Sequence, residues 1–260
     1  MCIISGTIEA VTKTNIFVIP SKCGKRQMTI YTNNVSTPES NVMCLPVPNP
    51  KTVKFENVSN DIFVECARSF NFKIQNASGT MPPMDFSLLY EDDPIEIISH
   101  GSYEVALISS MNDLYRVPSS FTVLTNEVID FLQKSYKNDF GVILCKLKKG
   151  SQSYEPFAYS HDIQETEMLF VPTKHYHVSS DTNNYDAVSN FVDDWDHTIY
   201  SVNTPEWCHK SNIWLLSDVN AVDWSKMPTD FVLNNSLILR CQEIYGYRHN
   251  SDIEMPIVMV

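Results

Sequence analysis

The sequence predicts an α+β protein, strand-rich, with a mainly antiparallel sheet and two or more short helices. Three observations carry that expectation. Short β-branched runs bounded by Gly, Pro, Asn and Ser recur along the chain. Two stretches place apolar residues at helical spacing. The 260 residues are 43% hydrophobic with 7 Gly, which suits a packed chain and not a disordered one.

The elements follow in order. "CIISGTIEAV", "NIFVIP" and "RQMTIYTNNV" read as strands, and "SKCGK" between the last two reads as a hairpin turn on Gly24. In "NVMCLPVPNPKTVKFENV", Pro46, Pro48 and Pro50 remove ladder donors, so this piece is expected at a sheet edge or running extended between strands. "SNDIFVECARSF" reads as a helix capped by Ser59 or Asn60, with Ile62, Phe63, Cys66, Ala67 and Phe70 on one face. "MPPMDFSLLYEDDP" reads as an acidic surface excursion and "SYEVALISS" as a strand. "NEVIDFLQKSYK" reads as a second helix after Thr125, with Val128, Phe131 and Leu132 inward. The rest reads as successive antiparallel strands: "FGVILCKLKKG", "SYEPFAYS", "EMLFVPTKHYHV", "DHTIYSV", "SNIWLLSD" and "LILRCQEIYGY". Residues 1–260 are expected to form one α+β domain; a break near residues 137–140 would separate lobes 1–138 and 139–260.

Composition narrows the function classes. A net charge of −12 argues against general nucleic-acid binding, which rests on Lys and Arg neutralising phosphates. The one basic cluster, Lys146, Lys148 and Lys149, reads as the solvated end of a strand. No stretch nears the roughly 20 apolar residues of a membrane span. The start lacks a secretory pattern, so a cytoplasmic, non-secreted protein is expected. Seven scattered cysteines without a CxxC pair suggest neither a disulfide framework nor a zinc ribbon.

Candidate sites are few. Cys2 is a candidate nucleophile: with Met1 removed, its own α-amine could act as base, and otherwise His175 or His177 could. Arg26 and the Asn33–Asn34 pair are the nearest candidate oxyanion donors. In "HYH", His175 and His177 would share one face of a strand and offer two imidazoles to zinc or another transition metal. His197 beside Asp196, or Cys208 with His209, could complete such a site. Otherwise no cofactor is expected. "YEDDP" and "DDWD" read as solvated acidic faces. P-loop, GxGxxG, GxSxG and HExxH motifs do not occur.

The chain resembles a protein family whose members begin "MCxxS". They carry strands like "NIFVIP" and "RQMTIYTNNV", then a segment like "MCLPVPNPKTVKF". Later come segments like "FGVILCKLKKGSQSYEPFAYS", "MLFVPTKHYH" and "DHTIYSV". The resemblance implies that Cys2, His175, His177 and His197 belong to recurring segments of one architecture, and it implies no activity. "MCII" also resembles the start of N-terminal-nucleophile-like proteins, but the "NRDE"-type segment is missing and "NIFVIPSK" stands in its place.

The expected function is therefore a non-catalytic interaction or structural protein, a component of a larger assembly. Its partners would be proteins or further copies of itself, with Tyr90, Tyr185 and Trp224 as contact residues. The alternatives are a cysteine-dependent hydrolase or amidase with Cys2 as nucleophile, and a metal-binding protein using His175 and His177.

Overall fold

Successive side chains of a strand point to opposite faces, so a strand buried at every position needs cover on both sides. β4 (Asn41–Pro48) is such a strand, buried at all eight residues. A computed structural model describes residues 3–70, 95–122, 124–137, 139–164, 168–179, 192–203, 214–231 and 237–257. The excursion around "MPPMDFSLLYEDDP" lies outside them.

β4 sits within a six-stranded sheet. Its order is β12 (Tyr176–Ser179), β1 (Ile3–Ile8), β4, β8 (Phe140–Leu147), β7 (Tyr103–Ile108) and β6 (Ile97–His100). The second sheet has eight strands. It runs β14 (Leu215–Asp218), β15 (Ile238–His249), β13 (Val192–Asn203), β2 (Ala10–Pro20), β3 (Arg26–Thr37), β10 (Phe157–Asp162) and β5 (Lys54–Glu56), with β9 (Gly150–Ser153) also paired to β3. β11 (Met168–Val171) and β16 (Ile253–Pro256) form a two-stranded ribbon.

Three apolar layers follow from strand alternation. Between the sheets, Ile4, Met43, Leu45, Ile143 and Cys145 of the first meet Ile16, Val18, Tyr31, Phe157 and Ile199 of the second. The other face of the six-stranded sheet (Val42, Cys44, Val142, Leu144) packs on α2 (Asn126–Ser135) through Val128 and Leu132, and on Met111 and Leu114 of a 3-10 segment. The other face of the eight-stranded sheet (Phe17, Ile19, Met28, Ile30) packs on α1 (Ile62–Ser69) through Ile62, Phe63 and Cys66. The α+β, sheet-dominated expectation agrees with this architecture.

The caps show why the helices start where they do. Thr125 caps α2 as expected, its hydroxyl accepting from the Val128 amide at 3.3 Å. α1 differs: its N-cap is Asp61 without a side-chain capping bond, while Ser59 accepts from the Asp61 amide, one step ahead of the helix. In the hairpin between β2 and β3, Gly24 has φ 69°, a left-handed conformation that suits glycine.

Two expectations need correction. The proline-rich segment is neither a free edge nor a linker, because β4 pairs with β8 along its whole length. β1, on the other side, pairs among the described residues with Val42, Met43 and Cys44. A proline is tolerated within such a pairing where its missing N–H faces away from β8. Nor do the later strands pair simply in succession. β8 lies beside β4, β10 beside β3, and β13 runs parallel to β2. β12 is likewise parallel to β1. Periodicity specifies that a strand exists, while its partner depends on contacts far away in sequence.

Gly141 marks the tightest approach. A Cβ there would collide with the Ile108 carbonyl oxygen and with the ring of Pro50, neither of which can swing aside. Gly141→Ala is expected to cost about 1–3 kcal/mol in urea denaturation, the range for an overpacked core. An unchanged midpoint would contradict this packing.

Candidate functional site

The structure brings together two of the histidines that the sequence singles out. His175 precedes β12 and is 6% exposed. Asn250 grips its backbone from both sides: Oδ1 accepts from the His175 amide at 2.6 Å, and Nδ2 donates to the His175 carbonyl at 2.8 Å. His197 lies in β13, registered between Thr14 of β2 and Ile244 of β15, and is 1% exposed. The two rings meet edge to face, with centroids 5.3 Å apart. Burial pushes the His197 imidazole far below its usual range, so it stays neutral.

The other candidates are placed as follows. His177 lies in β12, and His175 lies just ahead of that strand. Cys2, Cys208 and His209 lie outside the described residues. The strand that follows Cys2 begins at Ile3, which pairs with Tyr176, the residue after His175. Among the described residues no group of three or more His, Cys, Asp or Glu is placed to hold a metal ion. Arg26 is engaged elsewhere: it donates to Asp162 at 2.8 Å, to the Thr52 carbonyl and to Ser160. Asn33 is buried, its amide 3.3 Å from the Tyr31 hydroxyl.

Of the expected contact residues, Tyr90 and Tyr185 lie outside the described residues. Trp224 is half-buried, not exposed. Its indole donates to the Val219 carbonyl at 2.7 Å and its ring lies 5.7 Å from that of Phe17. It therefore packs the outer face of the eight-stranded sheet. Among the described residues, Tyr115, Tyr245, Leu215, Leu216 and Ile97 are the large apolar side chains left exposed.

Several titratable groups escape a reading by motif. His161 follows Phe157 and Tyr159 on one face of β10, and that polar residue at an apolar position was the available signal. Its Nδ1 lies 3.0 Å from the Asp162 carbonyl. A carbonyl only accepts, so Nδ1 carries the proton and Nε2 is a bare lone pair, without a partner among the described residues. Burial holds His161 down at about 4, and also lowers His100. Asp252 accepts from the Thr173 and Lys174 amides and from the Tyr136 hydroxyl, and burial raises the pKa values of both Asp252 and Tyr136. No local pattern announces Asp252.

The cysteines divide by environment. Cys44, Cys66, Cys145 and Cys241 are buried and Cys23 is exposed. Burial raises the Cys66 and Cys145 thiols and pushes Cys241 up to about 12. Cys23 is shifted down by a hydrogen bond with Ser21, at 3.4 Å, and by the Lys25 backbone.

No family model matches the sequence, and no curated protein matches it either. What the geometry defines is a class: a two-sheet, strand-rich protein with His100, His161, His175 and His197 packed inside. In structure the chain is similar to baculovirus P35, with a TM-score of 0.53 at 14% identity over 99% of this chain and 100% of that one. It is also similar to a mutated baculovirus P35 after caspase cleavage (TM-score 0.49, 13% identity, 95% of this chain and 100% of that chain). A third similar structure is P35 in complex with caspase-8 (TM-score 0.47, 12% identity, 95% and 96%). The first comparison shows a shared fold along the whole chain.

Two outcomes are expected. His161, His197 and His100 titrate near 6.5 when unfolded and lower when folded. The unfolded chain therefore takes up protons first as pH falls. Stability is full above about pH 6.5 and declines toward pH 4, with His161 alone contributing a loss on the order of 3 kcal/mol. Urea denaturation at pH 7.5 and pH 5 measures it, and equal stability at the two would contradict neutral buried imidazoles. Limiting iodoacetamide is expected to modify Cys23 well before Cys44, Cys66, Cys145 or Cys241, as peptide mapping would show. Equal labelling would contradict the burial of those four.

Proposed function

We propose that this chain is a non-catalytic protein that acts by binding another protein, and that its target is a protease of the caspase class. One observation carries the proposal: the fold is similar to that of baculovirus P35 over 99% of this chain and 100% of that one. P35 forms a complex with caspase-8 and has been seen after caspase cleavage. The placement of the histidines supports the same view. His175 and His197 are buried and their rings meet edge to face, 5.3 Å apart.

The hydrolase alternative keeps one favourable observation, the start of β1 beside Tyr176. It would need His175 to leave its packed position before a substrate could meet it.

The test is inhibition. Purified chain in molar excess is mixed with a panel of active caspases, caspase-8 first, and residual peptide hydrolysis, co-elution and intact mass are recorded. The expected result is stoichiometric loss of activity of at least one caspase, with the two proteins co-eluting. Full activity of every caspase in the presence of intact, unbound chain would overturn the proposal.

A further inference from the structure

The β11–β16 ribbon is attached to the sandwich differently from the other strands. Among the described residues it joins the ladder of neither sheet. Leu169, Val171 and Met255 pack its inner face into the layer between the sheets. Phe170 exchanges two hydrogen bonds with the Gln27 side chain, at 2.6 and 2.8 Å, and Gln27 stands directly across from His161 in the β3–β10 pairing. A cleft of about 530 Å³ runs beside this contact, lined by His161, Gln27, Leu169 and Phe170, with Lys137, Asp139 and Glu254 exposed at its lip. The cleft gives solvent a path to the underside of the ribbon.

His161 lies buried at that contact, its ring stacked on Tyr159 with centroids 6.1 Å apart. Nδ1 donates to the Asp162 carbonyl, and Nε2 has no partner among the described residues. A second proton therefore puts an N–H and a positive charge where no acceptor is in place, a state that burial disfavours. The surrounding groups do not reverse this. On β10, Tyr159 is neutral, and the Asp162 carboxylate is engaged by Arg26 of β3 at 2.8 Å. Arg26 itself adds positive charge, and Gln27 adds none. Lys137, Asp139 and Glu254 remain at the exposed lip. Tyr136 and Lys174 meet each other, the ammonium 5.2 Å from the ring centroid. Asp252 acts in the opposite direction: burial raises its carboxyl pKa, so acid favours its closed position.

We propose that the ribbon is an acid-gated flap. Protonation of His161 releases it from β3 and opens that end of the sandwich while the two sheets stay folded. Closed, His161 titrates at about 4; open and hydrated, it titrates near 6.5, so falling pH draws the equilibrium toward the open form. The device rests on the fold alone and stands apart from the protein-binding function proposed above.

The test is native-state hydrogen exchange of the full chain at pH 7.5 and pH 5, with each amide's rate divided by its intrinsic rate at that pH. Amides 169–171 and 253–255 of the ribbon are expected to open more readily than 42–45 of β4 at both values. Between the two, the ribbon should lose roughly thirtyfold in protection. In His161→Phe that loss should vanish from the ribbon, while β4 keeps a dependence through His197 and His100. His161→Gln serves if His161→Phe does not fold. Gln27→Leu should raise ribbon opening at both pH values and leave the ratio between them unchanged. Three results overturn the proposal: ribbon and β4 exchanging together, ribbon protection equal at the two pH values, or a ratio that replacing His161 leaves intact.

Discussion

The structure depends on one constraint: its central strands are covered on both faces, so they must satisfy their polar groups without water. An unmet buried hydrogen bond costs roughly 1–3 kcal/mol, a large share of any domain's margin. The chain meets the constraint with side chains that act as surrogate backbone. Gln27 presents its amide to Phe170 as a neighbouring strand would, and so ties the β11–β16 ribbon to the eight-stranded sheet. Asn250 does the same for His175. Arg240, 1% exposed, lies beneath the ring of Trp214 at 4.4 Å and reaches the Met255 sulfur at 3.7 Å.

That constraint also decides what the histidines can do. In a layer closed from both sides, desolvation favours the neutral ring, and His161 and His197 are both displaced in that direction. Their place in the core accounts for the edge-to-face pair of His175 and His197, and the Asp162 carbonyl beside Nδ1 assigns the His161 proton to that nitrogen. Chemistry with the outside is left to the exposed shell: the Cys23 turn, the charged lip of the ribbon cleft, and exposed apolar side chains such as Tyr245 and Leu215. A rigid sandwich that presents a varied surface is well suited to binding another protein, where preorganisation spares the cost of ordering on contact.

Local information was readable in the sequence, and distant information was not. Thr125 followed by Val128 and Leu132 specifies α2 together with its cap, because every determinant lies within one turn. The β2–β3 hairpin is equally local. Pro46 and Pro48 misled because a proline reports only its own missing donor, not that β8 pairs with β4 along its whole length. That His175 meets His197 rests on β12 joining β1 and β13 joining β2, two parallel pairings between distant parts of the chain. His161 could have been found: it interrupts the apolar face of Phe157 and Tyr159.

Native-state hydrogen exchange, resolved along the chain, tests the double-sided layering most directly. The account predicts that the amides of residues 42–45 in β4 and 28–31 in β3 exchange last and together, at the rate of global unfolding. β14 and β6, at the sheet margins, should exchange far sooner. Fast exchange in β4, at the rate of the marginal strands, would contradict an architecture built around a strand buried on both faces.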